Sequence, residues 1–354
     1  MNQRYSISVQ LVTYNGVPWL PYCLEALAAQ TRRDFFLLIV DNGSIDKTSE
    51  LVEGWLAEHP DLAARARMVK NKQNLGFARG HNQAISWTDS DYVLVLNQDV
   101  LLAETYLEAA AGYLEHDTRA AAVTGKLLTW KFDPATFYLG ALPELQAAST
   151  IDSLGLKIYR SRRVTNLAQG EVDHGQYQTM RQVFGVAGTA PLYRREALMA
   201  VSPTGEVFDE DFVSYKEDVD LAWRLQLAGC DAWYVPEAVG YHDRSLAGAV
   251  KEGPLALARH RRHWPKELKA YSWVNHLGVM VKNEGALNFF LDLPWILAHE
   301  LAKAGFVLLT EPTTLLRGMY RFIRLLPRFI KKRGQLKSTH RRKAAELRQW
   351  WAKG

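Results

Sequence analysis

Residues 92–99 read Tyr-Val-Leu-Val-Leu-Asn-Gln-Asp, a continuous apolar run that ends on three polar side chains. A short apolar run of this kind is typical of a strand that is buried on both faces of a parallel sheet. The polar triplet marks the point where the strand ends. We therefore predict that Asp99 lies at the carboxyl edge of a sheet.

The chain around this run repeats the same pattern. Other apolar runs predict strands at residues 7–12, 35–40 and 67–69. Helical spacing of apolar residues predicts helices at 18–30, 47–58 and 77–87. Alternating strands and helices indicate a mostly parallel α/β sheet flanked by helices, and such sheets bind ligands beyond the carboxyl ends of their strands. Asp41 and Asp99 both fall at such ends.

The pattern is interrupted after this first block. Residues 127–182 mix prolines and glycines with short apolar pieces, and we interpret them as a long excursion over the active face. Regular pattern resumes at residues 183–193, and it then predicts helices at 194–200 and 219–228 and a strand at 232–235.

Composition excludes several classes of protein. The chain has 354 residues, 48% of them hydrophobic, which excludes disorder throughout. Its two cysteines, Cys23 and Cys230, are far apart and form no metal-binding or disulfide pattern. The first residues run directly into a strand pattern and show no export signal, so we expect a cytoplasmic active face.

Charge divides the chain into two parts. Residues 251–354 hold 21 Lys+Arg against 7 Asp+Glu, whereas residues 1–250 hold 22 against 31. The most apolar stretch, residues 286–309, is broken by Pro294 and four ionisable residues, so we expect a helix pair lying in the membrane interface and not a membrane span. We predict a catalytic domain at 1–250 and a helical, basic, membrane-associating extension at 251–354.

A carboxylate at the mouth of the sheet suits a pyrimidine nucleotide. Asp41 could accept the imide N–H that uracil and thymine share, with Asn42 beside it and Thr13, Tyr14 and Asn15 at the end of the first strand. Ser44 and Asp46, further along the same loop, are equally well explained as helix caps.

Asn74, Gly76 and Asn82 belong to a segment that opens a helix and carries two glycines, Gly76 and Gly80. Glycine allows close approach of the backbone to a ligand, and a helix N-terminus favours a diphosphate. A tight turn with close helix packing explains the same residues.

Asn97, Gln98 and Asp99 offer hard oxygen ligands at a strand end, which suits Mg²⁺ or Mn²⁺ bound to diphosphate oxygens. A plain turn is the alternative. His242 follows the last predicted strand. It could complete the coordination of the metal, contact a phosphate, or simply be a polar residue at the end of a strand.

Acidic residues precede the helix predicted at 219–228. A transferase needs a carboxylate that takes the proton of the acceptor hydroxyl, and Asp218 is the candidate, with Glu217 second. Asp220 is explained by compensation of the helix dipole.

Taken in order, these motifs resemble glycosyltransferase family 2, and in particular its bacterial rhamnosyltransferase-like members. The resemblance covers residues 5–245 and rests on five segments: Val12-Thr13-Tyr14-Asn15, Asp41-Asn42-Gly43-Ser44, Asn74-Leu75-Gly76-Phe77-Ala78, Leu96-Asn97-Gln98-Asp99 and Tyr215-Lys216-Glu217-Asp218-Val219-Asp220-Leu221.

The resemblance implies a GT-A fold and an inverting transfer. It implies Asp41 on the nucleotide base, Asp99 on the metal, Asp218 as base and His242 as a metal or diphosphate contact. Asn97 stands where many members have the first acid of an Asp-x-Asp pair, and Gln98 stands where proline is common.

The resemblance also suggests the substrates. In this family, a basic and apolar C-terminal extension usually accompanies an acceptor that is carried on a lipid. We therefore expect an enzyme on the inner face of the cell membrane. It would extend a lipid-linked glycan of a surface polysaccharide, such as an O-antigen. Similarity alone suggests dTDP-rhamnose as donor, with UDP-sugars open.

Three alternatives remain. The missing acid at Asn97 leaves room for a catalytically silent GT-A-like protein that binds nucleotide-sugars at the membrane. A nucleic-acid-binding protein is disfavoured, because the basic clusters alternate with apolar residues and no recognition motif accompanies them. A nucleotidyltransferase is disfavoured because residues 13–18 offer no glycine-rich, basic loop for a triphosphate.

Overall fold

A computed structural model of the chain describes residues 4–130, 150–243 and 266–352. The domain boundary predicted between residues 250 and 251 lies outside these residues. Within them, one ten-stranded sheet dominates. Its strands lie side by side in the order Arg181–Val183, Asp231–Asp243, Ala120–Trp130, Leu192–Arg194, Tyr92–Asn97, Ile7–Thr13, Phe35–Asp41 and Ala66–Lys70, with Val100–Leu102 added beside Asp231–Asp243 and Ile151–Ser153 beside Ala120–Trp130.

The first part of the chain supplies the parallel strands. Its elements are β1 (Ile7–Thr13), α1 (Leu20–Ala28), β2 (Phe35–Asp41), α2 (Thr48–Glu58), α3 (Pro60–Ala63), β3 (Ala66–Lys70), α4 (Gly76–Ser86) and β4 (Tyr92–Asn97). The strands β1, β2, β3 and β4 pair in parallel. These bounds agree closely with the predicted elements because uninterrupted apolar runs are buried on both faces of the sheet.

The middle of the chain completes the sheet. Its elements are β5 (Val100–Leu102), α5 (Tyr106–His116), β6 (Ala120–Trp130), β7 (Ile151–Ser153), β8 (Leu156–Tyr159), β9 (Val164–Asn166), β10 (Arg181–Val183), β11 (Leu192–Arg194), α6 (Arg195–Ala200), α7 (Glu217–Leu227) and β12 (Asp231–Asp243). β11 runs antiparallel to β4 and β6, so the sheet is mixed.

Two sequence interpretations of this part need correction. The predicted strand 232–235 is the first part of β12, which runs on to Asp243 beside β6. The excursion at 127–182 begins inside the long strand β6 and contains β7, β8 and β9. Short strands interrupted by Gly155 and Gly170, both at positive φ, do not show a period that sequence inspection can detect.

The C-terminal part is helical. It consists of α8 (Lys266–Asn283), α9 (Ala286–Thr310) and α10 (Pro312–Leu336), two short 3₁₀ helices (Lys337–Thr339 and Ala344–Trp350) and β13 (Trp351–Ala352), which pairs with β8. The aromatic rings of Phe329 and Trp351 pack against those of Phe212 and Trp223. The C-terminal helices therefore share a hydrophobic core with α7 and β8.

The predicted break at Pro294 is wrong, since α9 continues through it. A proline inside a helix costs about 3 kcal/mol, and tertiary contacts offset that cost: Asp292, which precedes Pro294 in the same turn, is fully buried against Arg160, Arg162 and Arg348. Among the described residues, α9 is the one helix long and apolar enough to cross a membrane, and only 11% of its most apolar window is buried.

Candidate active site

The carboxyl ends of the central strands bring the predicted polar residues to one edge of the sheet. Thr13 at the end of β1 is level with Asp41 at the end of β2. On the other side of β1, Val12 is level with Asn97 at the end of β4. Parallel pairing thus gathers residues that are up to 85 positions apart in sequence.

Asp41 is buried and holds the loop that follows it. Its Oδ1 accepts a hydrogen bond of 2.9 Å from the Ser44 backbone N–H, and its Oδ2 accepts one from the Ser49 hydroxyl. Asn15, which has φ 50°, connects the loop after β1 to the loop after β2, because its Oδ1 accepts a hydrogen bond of 3.0 Å from the Ile45 N–H. Carboxylate oxygens have further lone pairs for a base N–H.

Asn42 is the centre of a polar network. Its Nδ2 donates to Asn74 Oδ1 at 3.1 Å and to the Gly76 carbonyl at 3.2 Å. Its Oδ1 accepts from the Leu75 N–H at 3.1 Å. The structure therefore brings Asn42, Asn74 and Gly76 together at the start of α4.

The backbone at Gly76 is packed closely against other protein atoms. It has φ 83°, and a Cβ there would lie 2.7 Å from the Val213 carbonyl oxygen. Asn82 also has a structural role: its Nδ2 donates to the Phe208 carbonyl and to Glu210, while its Oδ1 accepts from the Phe208 N–H. Both amide protons of Asn82 are therefore used within the protein.

Gln98 connects the ends of β1 and β4 by hydrogen bonds. Its Oε1 accepts from the Thr13 hydroxyl at 2.5 Å and from the Tyr14 N–H at 2.9 Å, and its Nε2 donates to the Tyr14 carbonyl at 3.2 Å. The sequence presents Gln98 as a possible oxygen ligand and as a departure from the family pattern. The structure shows that this side chain orders the Thr13–Tyr14 loop.

Asp99 and His242 face each other across the end of the sheet. The strands β5 and β12 pair with Val100 opposite His242, and His242 Nε2 lies 3.4 Å from Asp99 Oδ2. The other ring nitrogen, Nδ1, lies 2.8 Å from Asp152 Oδ2. Burial lowers the pKa of His242, but the hydrogen bonds to Asp152 and Asp99 outweigh it and raise the pKa to about 9.

This donor set fits a hard divalent cation. A carboxylate and an imidazole that releases its Nε2 proton on binding can hold Mg²⁺ or Mn²⁺, and a second carboxylate on the far imidazole nitrogen is the usual way in which a metal-binding histidine is oriented. Sequence reasoning missed Asp152, because it lies in the excursion where no motif surrounds it.

Asp218 and Glu217 begin α7. Asp218 Oδ2 accepts from the Gly188 N–H at 3.2 Å, and its Oδ1 accepts from the Val219 N–H at 2.7 Å. Glu217 is buried, and its Oε2 has no hydrogen-bond partner among the described residues. Burial first, and the neighbouring charge of Asp218 second, raise the pKa of Glu217 to about 8.

Two hydrogen bonds join the strand end that carries Asp99 to the start of α7. The Asn97 N–H donates to the Thr189 carbonyl at 3.0 Å, and the adjacent Gly188 N–H donates to Asp218. Residues 188–189 therefore connect the candidate metal position to the candidate base.

The loop before α7, residues 209–216, is strained. Val213, Tyr215 and Lys216 have φ of 65°, 73° and 73°, which non-glycine residues rarely adopt. Such strain persists only where surrounding contacts hold it. The buried Asn275 of α8 supplies these contacts, because its Nδ2 lies within 2.9 Å of the carbonyl oxygens of Phe212, Ser214 and Tyr215.

Ion pairs hold both ends of this loop. Lys282 of α8 lies 2.6 Å from Asp209 and 2.8 Å from Asp220, and Lys332 of α10 lies 2.5 Å from Asp209. Burial raises the pKa of both carboxyl groups, but Lys282 and Lys332 hold that of Asp209 below its usual range, and Lys282 and Arg224 do the same for Asp220. Asp220 is fully buried, so dipole compensation at an exposed helix end does not explain it.

The chain is similar in sequence to known proteins. The sequence profile of Glycosyl transferase family 2 matches residues 8–201. A Mycobacterium tuberculosis protein named N-acetylglucosaminyl-diphospho-decaprenol L-rhamnosyltransferase is 30% identical over 270 residues, which are 72% of this chain and 81% of that protein. A poly-beta-1,6-N-acetyl-D-glucosamine synthase of Staphylococcus aureus is 25% identical over 239 residues, 68% of this chain and 50% of its own.

Two solved structures are similar in fold. A mannosyltransferase from Pyrobaculum calidifontis in complex with GDP-Man and Mn²⁺ has a TM-score of 0.52 and 19% identity, and the match covers 99% of this chain and 88% of that one. GalNAc-T7 with UDP, GalNAc and Mn²⁺ has a TM-score of 0.54 and 13% identity, and the match covers 76% of this chain and 50% of that one. They confirm the GT-A architecture that the motifs predict.

Proposed function

Because the chain belongs to glycosyl transferase family 2 and is a glycosyltransferase, we propose that it transfers a sugar with inversion from a pyrimidine nucleoside diphosphate to a lipid-linked glycan. The observation that carries the proposal is the connection from Asp99 and His242, through residues 188–189, to Asp218. A metal-binding pair and a carboxylate base on one rigid edge are what a single displacement at an anomeric carbon requires.

The donor lies at the ends of β1 and β2. Asp41 accepts a hydrogen bond from the imide N–H of the pyrimidine. The nucleotide is surrounded by polar and small residues of the neighbouring loops: Thr13, Tyr14, Asn15, Asn42, Asn74, Gly76 and Asn97. The 30% identity to a protein named as an L-rhamnosyltransferase supports dTDP-rhamnose as the first donor to test.

Asp99 and His242 would hold a divalent ion, Mg²⁺ or Mn²⁺, which would supply positive charge for the departing nucleoside diphosphate. Asp152 accepts the Nδ1 proton of His242 and so orients the ring.

Asp218 is the base. The acceptor hydroxyl gives its proton to the Asp218 carboxylate as its oxygen bonds to the anomeric carbon and the bond from that carbon to the diphosphate oxygen breaks. Glu217, with a pKa of about 8, stays mostly protonated at neutral pH and is therefore a poor proton acceptor.

The acceptor is carried on a lipid at the inner face of the cell membrane. The outer face of α9 exposes large apolar residues, among them Phe290, Trp295 and Leu301, and the outer face of α10 exposes Tyr320 and Ile323 beside basic residues. An apolar face rimmed by cations suits a helix hairpin lying in an anionic membrane surface. The diphospho-decaprenol in the name of the Mycobacterium relative supports this class of acceptor.

Transfer from dTDP-rhamnose to a polyprenyl-diphosphate-linked N-acetylglucosamine, assayed with Mn²⁺ and with chelator, tests the proposal. Metal-dependent formation of a disaccharide-lipid supports it. Metal-dependent binding of dTDP or UDP without turnover of any pyrimidine donor would instead support a catalytically silent nucleotide-sugar-binding protein.

A further inference from the structure

The excursion over the active face contains a hairpin with positive charge and no negative charge. It consists of β8 (Leu156–Tyr159), a turn and β9 (Val164–Asn166), and is hereafter the basic hairpin. Residues 153–170 include no Asp or Glu and four cations: Lys157, Arg160, Arg162 and Arg163. A segment whose charges all have one sign attracts a partner of the opposite sign.

Part of this charge binds the hairpin to the C-terminal helices. Asp292 of α9 is fully buried and accepts hydrogen bonds from Arg160 at 2.8 Å and from Arg162 at 3.0 Å. Arg348 donates to the same carboxylate at 3.0 Å, and Arg162 also pairs with the buried Glu284. Three arginines thus share two carboxylates. The hairpin is held against α9, and one positive charge remains in excess.

The other two cations of the basic hairpin contact an aromatic ring. Lys157 Nζ lies 5.0 Å from the centroid of the Tyr159 ring, and Arg163 Cζ lies 5.7 Å from it. Arg163 is exposed. In the part of the chain that the structure describes, neither cation forms an ion pair with a carboxylate. Basic side chains beside a tyrosine are typical of protein segments at the boundary between membrane and water.

The basic hairpin adjoins the apolar outer face of α9. The Arg160 guanidinium lies 3.5 Å from the centroid of the Trp295 ring, and Trp295 is 45% exposed. Leu291 and Leu287 lie one and two turns earlier on the same side of α9, and both are exposed. A row of apolar side chains therefore ends beside a group of cations. A membrane presents its acyl chains and its charged headgroups in the same succession.

The basic hairpin is also attached to the candidate active site. The Leu156 N–H of β8 donates to the Gly185 carbonyl at 2.8 Å. Three residues later, the Gly188 N–H donates to Asp218 at 3.2 Å. A contact that holds the hairpin in place therefore also determines the direction in which the candidate base faces.

We propose that the basic hairpin binds the headgroups of anionic phospholipids, as a second membrane contact beside α9. The proposal rests on the proposed function, in which α9 lies in the membrane surface, and adds a contact from the front part of the chain. Contacts at two separate elements restrict the orientation of a surface-bound protein more than a contact at one. The partner is a membrane and not a nucleic acid, because the cations are continuous with exposed apolar side chains, which a phosphate backbone does not bury.

Sedimentation of the full-length protein with two kinds of vesicle tests the proposal. One kind is phosphatidylcholine alone, and the other is equal parts of phosphatidylcholine and phosphatidylglycerol. Wild type should bind the anionic vesicles more tightly. Lys157→Gln and Arg163→Gln should each lower the affinity for anionic vesicles about fivefold, the expected effect of one cation at such a surface. Neither substitution should change the affinity for phosphatidylcholine vesicles. Both effects should shrink when the salt concentration is raised from about 0.1 M to about 1 M.

Arg67→Gln is the matched control, because Arg67 is an exposed cation of β3, the last strand at the other end of the ten-stranded sheet. The substitution removes the same charge and should leave the affinity for both kinds of vesicle at the wild-type value. The melting temperature of each variant, measured without vesicles, checks that it is folded.

Three results would overturn the proposal: equal affinity of wild type for the two kinds of vesicle, wild-type affinity of both hairpin variants for the anionic vesicles, or an equal loss in Arg67→Gln, which would show that only net charge matters. Tighter binding of duplex DNA than of anionic vesicles at matched salt, lost in the hairpin variants, would assign the hairpin to a nucleic acid instead. A failure of the proposed function looks different. A protein that binds anionic vesicles through the hairpin but transfers no sugar retains the lipid contact and loses only the proposed reaction.

Discussion

Asn275 Nδ2 donates to the carbonyl oxygen of Tyr215 at 2.8 Å, so a helix from the last third of the chain holds the loop that leads to Asp218. The same amide contacts the carbonyls of Phe212 and Ser214. The helices that face the membrane in our proposal and the candidate catalytic carboxylates are thus parts of one packed unit. Changes in α8 are expected to affect chemistry and not only membrane attachment.

Asn275→Ala should lower kcat more than it lowers donor affinity. Losing donors to three buried carbonyls costs about 1–3 kcal/mol and frees a loop whose positive-φ residues need support. We expect kcat for sugar transfer to fall about 10- to 100-fold, with dTDP binding by calorimetry changed little.

Asn288→Ala is the matched control, because Asn288 is also a buried amide, but it donates to Ala344 far from the loop. It should reduce the melting temperature similarly and leave kcat near wild type. Equal losses of kcat in the two variants would contradict a specific role for Asn275.

Asp218→Asn should abolish transfer while keeping donor binding. The substitution removes the proton acceptor and preserves shape, and loss of a general base typically costs about 10²- to 10⁴-fold in rate. Steady-state transfer and dTDP calorimetry are the measurements. Glu217→Gln, which mimics the protonated form of a buried neighbour, should cost much less. Loss of dTDP binding in Asp218→Asn would argue against the role.

Glu217 should also make stability depend on pH. Its pKa is raised from 4.5 to about 8 in the folded protein, so the unfolded chain releases this proton at lower pH than the folded one. The stabilisation is fully present below about pH 4.5 and declines until about pH 8. Urea unfolding across this range should show a smaller decline in Glu217→Gln than in wild type. Parallel curves for the two proteins would show that Glu217 ionises normally.

Asp99→Ala should weaken dTDP binding in Mn²⁺ and have little effect in chelator. Asp152→Asn should reduce the affinity for Mn²⁺ about 10- to 100-fold, the usual effect of removing the partner of a metal-bound histidine. Calorimetric titration of Mn²⁺ with dTDP present measures both. Asp89→Asn, an exposed acid, is the control. An unchanged metal response in Asp99→Ala would place the metal elsewhere.

The sequence predicts the parallel half of the fold well, because apolar runs such as 92–96 are buried on both faces and end on polar residues. It also predicts which strand ends lie together, since parallel pairing makes Thr13, Asp41 and Asn97 neighbours. It does not reveal Asp152 or Asn275. Their roles depend on contacts 90 and 60 residues away, and neither residue belongs to a local pattern. The continuity of α9 through Pro294 likewise depends on distant arginines.

Membrane attachment should depend on the outer face of α9. Phe290 and Leu301 are 69% and 68% exposed, and burying such a side chain in a bilayer contributes about 1.5–3 kcal/mol. Phe290→Asp and Leu301→Asp should therefore each lower binding to anionic vesicles at least about tenfold in a sedimentation assay. Ile45→Asp changes an even more exposed apolar residue in the front part of the chain and should bind vesicles like wild type. If all three variants lost binding equally, general loss of folding would be the cause, and if none did, the apolar face of α9 would not contact the membrane. Because the proposed acceptor lies in the membrane, a variant that detaches from vesicles should lose transfer to the lipid-linked acceptor in parallel.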